Sequence, residues 1–259
     1  SFSMSAFNFS WHDAPLSSIQ APLLAGAGYV LLVLFLNKYM SVKGRGINTR
    51  YLQAVHNMIL CLGSLAMFVG TLREVLLRVN TESSYRALSA MGGCTFLFCE
   101  EPQVKAEGSL YFYSYIYYLS KYYELLDTIL QLLKGRAPPH FFLHVYHHAA
   151  VLLMAWAWVE YRMSLQFMGL LFNTGVHVVM YYYYFCRVLG WKVWWKRYVT
   201  LFQIVQFFTS FLCCMGTLAL IYSGHQCAGS RMLIANLLFN ATLLYQFFGV
   251  IEKPKKAKD

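Results

Sequence analysis

The feature that most constrains this chain is an apolar stretch, residues 140–158, that contains three histidines. It reads HFFLHVYHHAAVLLMAWAW and is long enough to cross a ~30 Å hydrocarbon layer as a helix. In that helix His144, His147 and His148 occupy positions i, i+3 and i+4 and therefore share one face. Ionisable side chains are costly in hydrocarbon and face a protein interior or a water-filled cavity. A lone histidine is usually a core residue bonded to backbone, but three on one stripe indicate a site.

Composition places the whole chain in the membrane class. Of its 259 residues 58% are hydrophobic and 12% are charged, whereas a soluble domain carries about 25% charged residues. We predict an all-α, single polytopic membrane domain over residues 1–259, because the apolar runs are continuous and do not alternate as barrel strands do. Seven spans are expected, at approximately 19–36, 52–76, 110–133, 141–159, 165–185, 199–222 and 232–250.

The charged residues predict an orientation for these spans. A net charge of +10 would suggest nucleic acid in a soluble protein, but here the basic residues lie in short loops, where they set topology. Fourteen of them fall on one side of the seven-span arrangement: Lys38, Lys43, Arg45, Arg50, Lys134, Arg136, Arg187, Lys192, Lys196, Arg197, Lys253, Lys255, Lys256 and Lys258. The positive-inside rule therefore predicts a cytosolic C-terminus and an N-terminus that lies outside the cell or in a lumen.

Three cysteines fall in the loops on the other, lumenal side, where disulfides persist. They are Cys94, Cys99 and Cys227. A bridge between Cys99 and Cys227 would join the loop between the second and third spans to the loop between the sixth and seventh. Cys94 is the competing partner.

The third predicted span carries Lys121, Glu124 and Asp127 at spacings of three residues. Two acids and one base in hydrocarbon need partners, on each other or on neighbouring helices. A purely structural ion-pair network explains Lys121 and Glu124 as well as a functional role does. Asp127 lies nearer the cytosolic end and is a candidate to orient a histidine, because a carboxylate on one ring nitrogen fixes the tautomer.

Two further spans carry polar groups in rows. Asn173, His177 and Tyr181 are spaced four residues apart and stack along one helix face. Gln203 and Gln206 are three residues apart and share a face of the sixth span. Glutamines in spans often serve only helix–helix contact, so that explanation stays open. By helix rise, the polar groups of four spans lie ~5–15 Å below the cytosolic ends of those spans. The lumenal halves are mostly apolar, which suits an amphiphile with a charged head and a long alkyl tail.

Five motifs recur in the order and spacing of a known family. They are His56–Asn57, K-x-x-E-x-x-D-T at 121–128, H-x-x-H-H at 144–148, N-x-x-x-H-x-x-M-Y at 173–181 and T-x-x-Q-x-x-Q at 200–206. Together they cover the chain from about residue 50 to residue 250, and in this the chain resembles the ELO family of fatty acid elongases. H-x-x-H-H alone is weak evidence, because membrane di-iron desaturases share it.

The resemblance implies an activity and an architecture. The activity is condensation of a long-chain acyl-CoA with malonyl-CoA, which releases CO2 and CoA and gives a 3-oxoacyl-CoA two carbons longer. The architecture is a barrel of spans 2–7 around an acyl-chain tunnel in the endoplasmic reticulum membrane, with a lumenal N-terminus and no metal or cofactor. Candidate partners are the reductases and the dehydratase of the elongation cycle and a second copy of the chain. Nucleic acid is not expected as a partner.

The residues divide into candidate roles. His147 is the first choice for a nucleophile that becomes acylated, with His177 close behind, since histidine can form an acyl-imidazole. His144, His148 and Asn173 are candidates to stabilise the enolate or oxyanion, and Asp127 and Glu124 are candidates to orient histidines. Candidate contacts to the thioester or pantetheine are Lys121, Glu124, Tyr181, Gln203 and Gln206. Candidate contacts to CoA phosphates are Lys134, Arg136, Lys196 and Arg197, although topology alone also explains these charges.

Two other classes compete with this interpretation. A di-iron membrane oxidoreductase would use the histidine box, but two irons usually recruit about eight histidines in several clusters, and this chain has eight in all, four of them scattered. A non-catalytic seven-helix receptor or channel would carry a polar face through the full bilayer, and the lumenal halves of these spans are too apolar for that.

Overall fold

The computed structural model describes residues 8–85 and 94–251, and regular structure within these ranges is helical. The helices are α1 (Gln20–Lys43), α2 (Arg50–Tyr85), α3 (Thr95–Phe98), α4 (Gly108–Glu124), α5 (Leu126–Leu133), α6 (Phe141–Glu160), α7 (Gln166–Val188), α8 (Lys196–Tyr222) and α9 (Ser230–Ile251). No strand occurs in these ranges beyond one isolated bridge between Ser10 and Glu107. The tail lysines of the topology prediction lie outside the described residues.

Four helices in the described part of the chain are long and apolar enough to cross a membrane. They are α1, residues Arg50–Thr81 of α2, α6 and α8. The other predicted spans also form helices, in α4 with α5, in α7 and in α9. These are shorter or carry tyrosines, amides and charges on the faces that they bury. The all-helical prediction is therefore confirmed, whereas the number of membrane spans remains a prediction.

The third predicted span consists of two helices, α4 and α5, which meet at Leu125. The Leu125 N–H bonds the carbonyl of Tyr122, three residues back, at 3.3 Å, while its backbone stays in the α region (φ −58°, ψ −25°). The chain thus tightens locally instead of breaking. This irregularity lies between Glu124 and Asp127, the two acids that the sequence singled out.

One end of the bundle, here called the basic end, gathers the α1–α2, α5–α6 and α7–α8 connections. The Ile47 N–H bonds the Leu133 carbonyl at 2.9 Å, and the Arg50 side chain donates to the carbonyl of Val188 at 3.1 Å. Three of the four basic segments therefore lie together, as the alternation of loops predicted. Pro138 and Pro139 separate α5 from α6 here, because proline cannot continue a helix.

The opposite end, here called the disulfide end, gathers the α3–α4, α6–α7 and α8–α9 connections. Cys99 and Cys227 form a disulfide with Cα atoms 4.8 Å apart, the pair that the loop positions predicted, and Cys94 is a free thiol. Next to the disulfide, the Ala228 N–H bonds the Glu100 carbonyl at 2.8 Å. The Glu100 carboxylate accepts two bonds from the Arg78 guanidinium, each at 2.6 Å. Loops that are distant in sequence are thereby fixed to one another.

Helix packing follows a closed sequence of neighbours. α2 packs on α7, α7 on α8, α8 on α9, α9 on α6, α6 on α4, and α4 back on α2. α1 contacts α6 and α5 from outside this cycle. The segment before α1 also lies outside, where Trp11 is fully buried and its indole N–H donates to Glu160 at 2.7 Å. The Trp156 indole N–H donates outward to the Ser17 carbonyl at 2.6 Å.

Opening the disulfide should destabilise the fold, because the bridge closes a loop of 128 residues and so restricts the unfolded chain. We expect Cys227→Ser to lower the free energy of unfolding by about 2–4 kcal/mol. Thermal unfolding of the detergent-solubilised protein measures this, with Cys94→Ser as the matched control. Equal unfolding midpoints for the two variants would show that the bridge contributes nothing.

Candidate active site

Asp127 connects three helices through its two carboxylate oxygens. Oδ1 lies 2.8 Å from Nε2 of His56 on α2, and Oδ2 accepts the hydroxyl of Tyr181 on α7 at 2.8 Å. Nε2 of His148 on α6 lies 3.9 Å from Oδ2, outside hydrogen-bond range. A carboxylate facing an imidazole fixes which ring nitrogen carries the proton. Asp127 therefore orients His56, a histidine that lies outside the box.

A second network surrounds Glu124 on α4. The Lys121 ammonium donates to Glu124 Oε1 at 2.8 Å and to Asn173 Oδ1 at 3.1 Å. The Tyr117 hydroxyl donates to the same Asn173 oxygen at 2.9 Å. His177 Nδ1 lies 3.5 Å from Glu124 Oε1. Lys121 and Glu124 are each 1% exposed, so their charges are compensated by one another and not by water.

The two donors on Asn173 Oδ1 determine how this amide is presented. With the oxygen occupied by Lys121 and Tyr117, the amide nitrogen is the end of the side chain that remains for the cavity, which Asn173 lines. A side-chain N–H pair held in this way is a preformed donor for a developing negative oxygen.

The three histidines of the box lie together on α6, as their spacing predicted. The ring centroids of His144 and His148 are 4.7 Å apart, and those of His147 and His148 are 5.4 Å apart. Their Nε2 (His144) and Nδ1 (His147 and His148) atoms are buried and have no hydrogen-bond partner among residues 8–85 and 94–251. The three rings contact one another on one face of α6, and all three residues line the cavity described below.

These groups line one cavity of about 880 Å³ inside the cycle of helices. At the basic end its wall includes Lys134, Arg136 and Lys196, and toward the disulfide end it includes Met163 and Leu165. The polar layer lies between these ends. It comprises His56, Asp127, Glu124, His144, His147, His148, Asn173, His177, Tyr181, Gln203 and Gln206. The predicted transition from charged to polar to apolar thus occurs along one continuous wall.

Two residues that were predicted to contact the substrate do not line the cavity. Lys121 does not line the cavity, because its ammonium is enclosed by Glu124, Asn173 and the ring of Tyr117, whose centroid lies 4.0 Å away. Arg197 does not line it either and donates instead to the Tyr198 hydroxyl at 2.9 Å. Lys121 is therefore placed to position Glu124 and Asn173 and not to contact a substrate.

Sequence reasoning missed two members of the site. His56 was noted only for its fit to a motif, and its bond to Asp127 joins residues 71 positions apart, which no local pattern reveals. Tyr117 precedes Lys121 by one helical turn, so its place on the polar face of α4 was accessible from spacing. Gln203 lines the cavity, and its amide nitrogen lies 3.4 Å from the Met180 sulfur.

The di-iron alternative requires clusters of metal donors. Within the described residues, which include all eight histidines, no group of three or more His, Cys, Asp or Glu side chains is arranged to hold a metal ion. The histidines of the box line a common cavity.

The helices and the buried polar layer define a multi-pass helical membrane protein with an internal histidine site. The family model described as ELO, GNS1/SUR4 family, matches residues 14–251, and the chain belongs to this family. Fatty acid elongase sre1 of Dictyostelium discoideum is 35% identical over 205 residues, which are 78% of this chain and 72% of that protein. Fatty acid elongase A of the same organism is 36% identical, over 77% of this chain and 68% of its own length.

Removing the Lys121 ammonium should leave Glu124 as an unpaired buried charge. We expect Lys121→Met to lower the free energy of unfolding by about 3–5 kcal/mol, the usual cost of breaking a buried ion pair. The double variant Lys121→Met, Glu124→Gln removes both charges and should recover much of that loss. Thermal unfolding in detergent measures both, and a single variant as stable as the parent protein would contradict the pairing.

Proposed function

We propose that this protein is the condensing enzyme of fatty acid elongation, a 3-oxoacyl-CoA synthase for long acyl chains. The observation that carries the proposal is the continuous cavity wall, which has basic residues at one end, a polar layer rich in histidines in the middle and apolar residues at the far end. An acyl-CoA has the same order of parts: phosphates, thioester and alkyl tail. Membership of a family whose relatives are named fatty acid elongases supports the assignment.

The proposed arrangement is a single domain of seven spans, with six of them, α2, α4–α5, α6, α7, α8 and α9, forming a barrel around the acyl tunnel. The closed sequence of helix neighbours supports the barrel, and the gathering of alternate loops at opposite ends supports the span count. We assign the basic end to the cytosol and the disulfide end to the lumen of the endoplasmic reticulum, because basic loops stay cytosolic and disulfides form in that lumen.

The first half-reaction in this proposal is acyl transfer to His147. A ring nitrogen attacks the thioester carbonyl carbon, the C–S bond breaks, and CoA leaves as the thiolate, which takes up a proton. Acylation through an imidazole divides one difficult step into two easier ones. Asn173, whose amide oxygen is fixed by Lys121 and Tyr117, offers its N–H groups to the carbonyl oxygen as it becomes negative.

The second half-reaction uses malonyl-CoA. Loss of CO2 leaves an enolate, which attacks the carbonyl carbon of the acyl-imidazole. The C–N bond then breaks, and the imidazole takes up a proton from water to regenerate His147. His177 lies beside Glu124 and is the second candidate for the acyl group or for proton transfer. His144 and His148 flank the reacting ring. The two thioesters are the only reactants in this scheme, which uses no cofactor or metal. The product then requires two reductions and a dehydration by partner enzymes.

Replacing the proposed nucleophile should abolish condensation without loss of the fold. We expect His147→Ala to lose at least about a thousandfold in rate, as nucleophile deletions do, in an assay of purified protein with radiolabelled malonyl-CoA. His225→Ala, at an exposed histidine in the α8–α9 loop, is the matched control. Mass spectrometry should find the acyl group on the His147 peptide when acyl-CoA is supplied alone. An active His147→Ala protein would refute the scheme.

Two adjacent basic residues provide an internal comparison for the phosphate contact. Lys196 lines the cavity and Arg197 does not. We therefore expect Lys196→Ala to raise the KM for acyl-CoA by about three- to tenfold, a loss of roughly 0.7–1.4 kcal/mol. Arg197→Ala should leave KM close to the parent value. Steady-state kinetics at low and high salt tests this, since the Lys196 effect should shrink as salt screens the charge. Equal effects of the two variants would contradict it.

A further inference from the structure

One large side chain lines the cavity between the histidine layer and the disulfide end. Trp158 lies in the last turn of α6, and its indole N–H donates to Asn236 Oδ1 on α9 at 3.1 Å. Its ring stacks on Tyr117 of α4, with centroids 5.7 Å apart and planes 4° from parallel. The indole is therefore fixed at its edge by a hydrogen bond and on its face by an aromatic ring.

The far edge of the indole rests on Gly169 of α7. A Cβ added at Gly169 would lie 2.6 Å from Trp158 Cη2, so the indole occupies the space that any larger residue would fill. From one position near the end of α6, Trp158 therefore contacts three other helices, α4 through Tyr117, α9 through Asn236 and α7 through Gly169.

The cavity does not end at this indole. Its wall continues to Met163 and Leu165, which follow Trp158 in the α6–α7 connection, and to Cys213 on α8. Met163 and Leu165 belong to an apolar cluster against which the Trp158 ring packs. His147 lies eleven residues before Trp158, about 16 Å along α6 by helix rise. An alkyl tail that starts at His147 and runs toward the disulfide end reaches the indole before it reaches these residues.

We propose that Trp158, held by Asn236, Tyr117 and Gly169, is the residue that sets the longest acyl chain this enzyme accepts. This inference rests on the proposed function. A tail that ends at the indole fills the cavity with methylene groups in apolar contact. A longer tail must displace a ring that is stacked and hydrogen-bonded, and must then use the space near Met163 and Leu165. Tyr117 also bonds Asn173, so the structure that limits the tail is continuous with the one that presents the thioester site.

The decisive experiment compares two tryptophans on the same helix. Trp158→Leu opens the cavity toward Met163, whereas Trp156→Leu changes a buried tryptophan that bonds outward to Ser17 and does not line the cavity. Purified protein is given malonyl-CoA and a series of saturated acyl-CoAs of increasing length. We expect Trp158→Leu to accept chains at least one elongation round longer than the parent, and Trp156→Leu to keep the parent limit. An unchanged limit in Trp158→Leu would overturn the proposal.

A second variant displaces the indole from the side of α7. Gly169→Ala adds a methyl group 2.6 Å from Trp158 Cη2, so the ring must shift. We expect the longest accepted chain to change in Gly169→Ala, and an unchanged limit would overturn the proposal. Trp158→Phe keeps a ring beside Tyr117 and should give a smaller lengthening than Trp158→Leu, which covers the case in which the leucine variant fails to fold.

A binding measurement separates failure of this inference from failure of the proposed function. Acyl-CoAs of increasing length should stabilise the parent protein against thermal unfolding up to one length and then no further. That length should increase in Trp158→Leu even in a His147→Ala background, where no condensation occurs. A limit that moves in this assay supports the role of Trp158 even if the parent forms no product. A limit that stays fixed refutes the role even if the parent is an active condensing enzyme.

Discussion

The interaction on which the site depends is the ion pair of Lys121 and Glu124 within an apolar bundle. Each charge alone would be prohibitively costly at this depth, so the pair exists only as a unit. Both charged groups of the pair can also interact with further side chains, and these interactions position other groups. Lys121 holds the oxygen of Asn173, and Glu124 lies beside His177. A requirement of stability thus fixes the orientation of two side chains that line the cavity, and the pair itself need not touch the substrate.

Two carboxylates one turn apart organise two different sets of partners because the helix between them is irregular. The tightening at Leu125 separates Glu124, which faces α4 and α7 partners, from Asp127, which reaches His56 and Tyr181. The histidine box receives little of this bonding. His144 and His147 have no carboxylate partner within bonding distance among the described residues. The carboxylate of Asp127 therefore anchors His56 by a hydrogen bond, whereas the rings of the box contact one another.

The periodic features of the site could be predicted from the sequence, and the contacts between helices could not. The shared face of His144, His147 and His148 and the row of Asn173, His177 and Tyr181 follow from 3.6 residues per turn, and both rows line the cavity as expected. The pairing of His56 with Asp127 depends on how α2 packs against α5, which periodicity does not encode. Nor could spacing show that Lys121 turns away from the cavity, since a buried lysine and a substrate-binding lysine have the same position on a helix wheel. The irregularity at Leu125 could not be predicted, because no proline or glycine lies there.

The same reasoning explains why the limit of the cavity is a matter of tertiary packing. Trp158 lies in an apolar run with Trp156 two residues before it, and nothing in the sequence distinguishes the two. Successive helical residues point about 100° apart, so these side chains diverge by roughly 200°, and the structure sends Trp156 outward to Ser17 and Trp158 inward to Gly169. The inward ring can lie against α7 only because Gly169 has no side chain. The width of the cavity at this level is thus set by a pair of residues, the large Trp158 and the facing Gly169, which has no side chain. A substitution at either position can change that width.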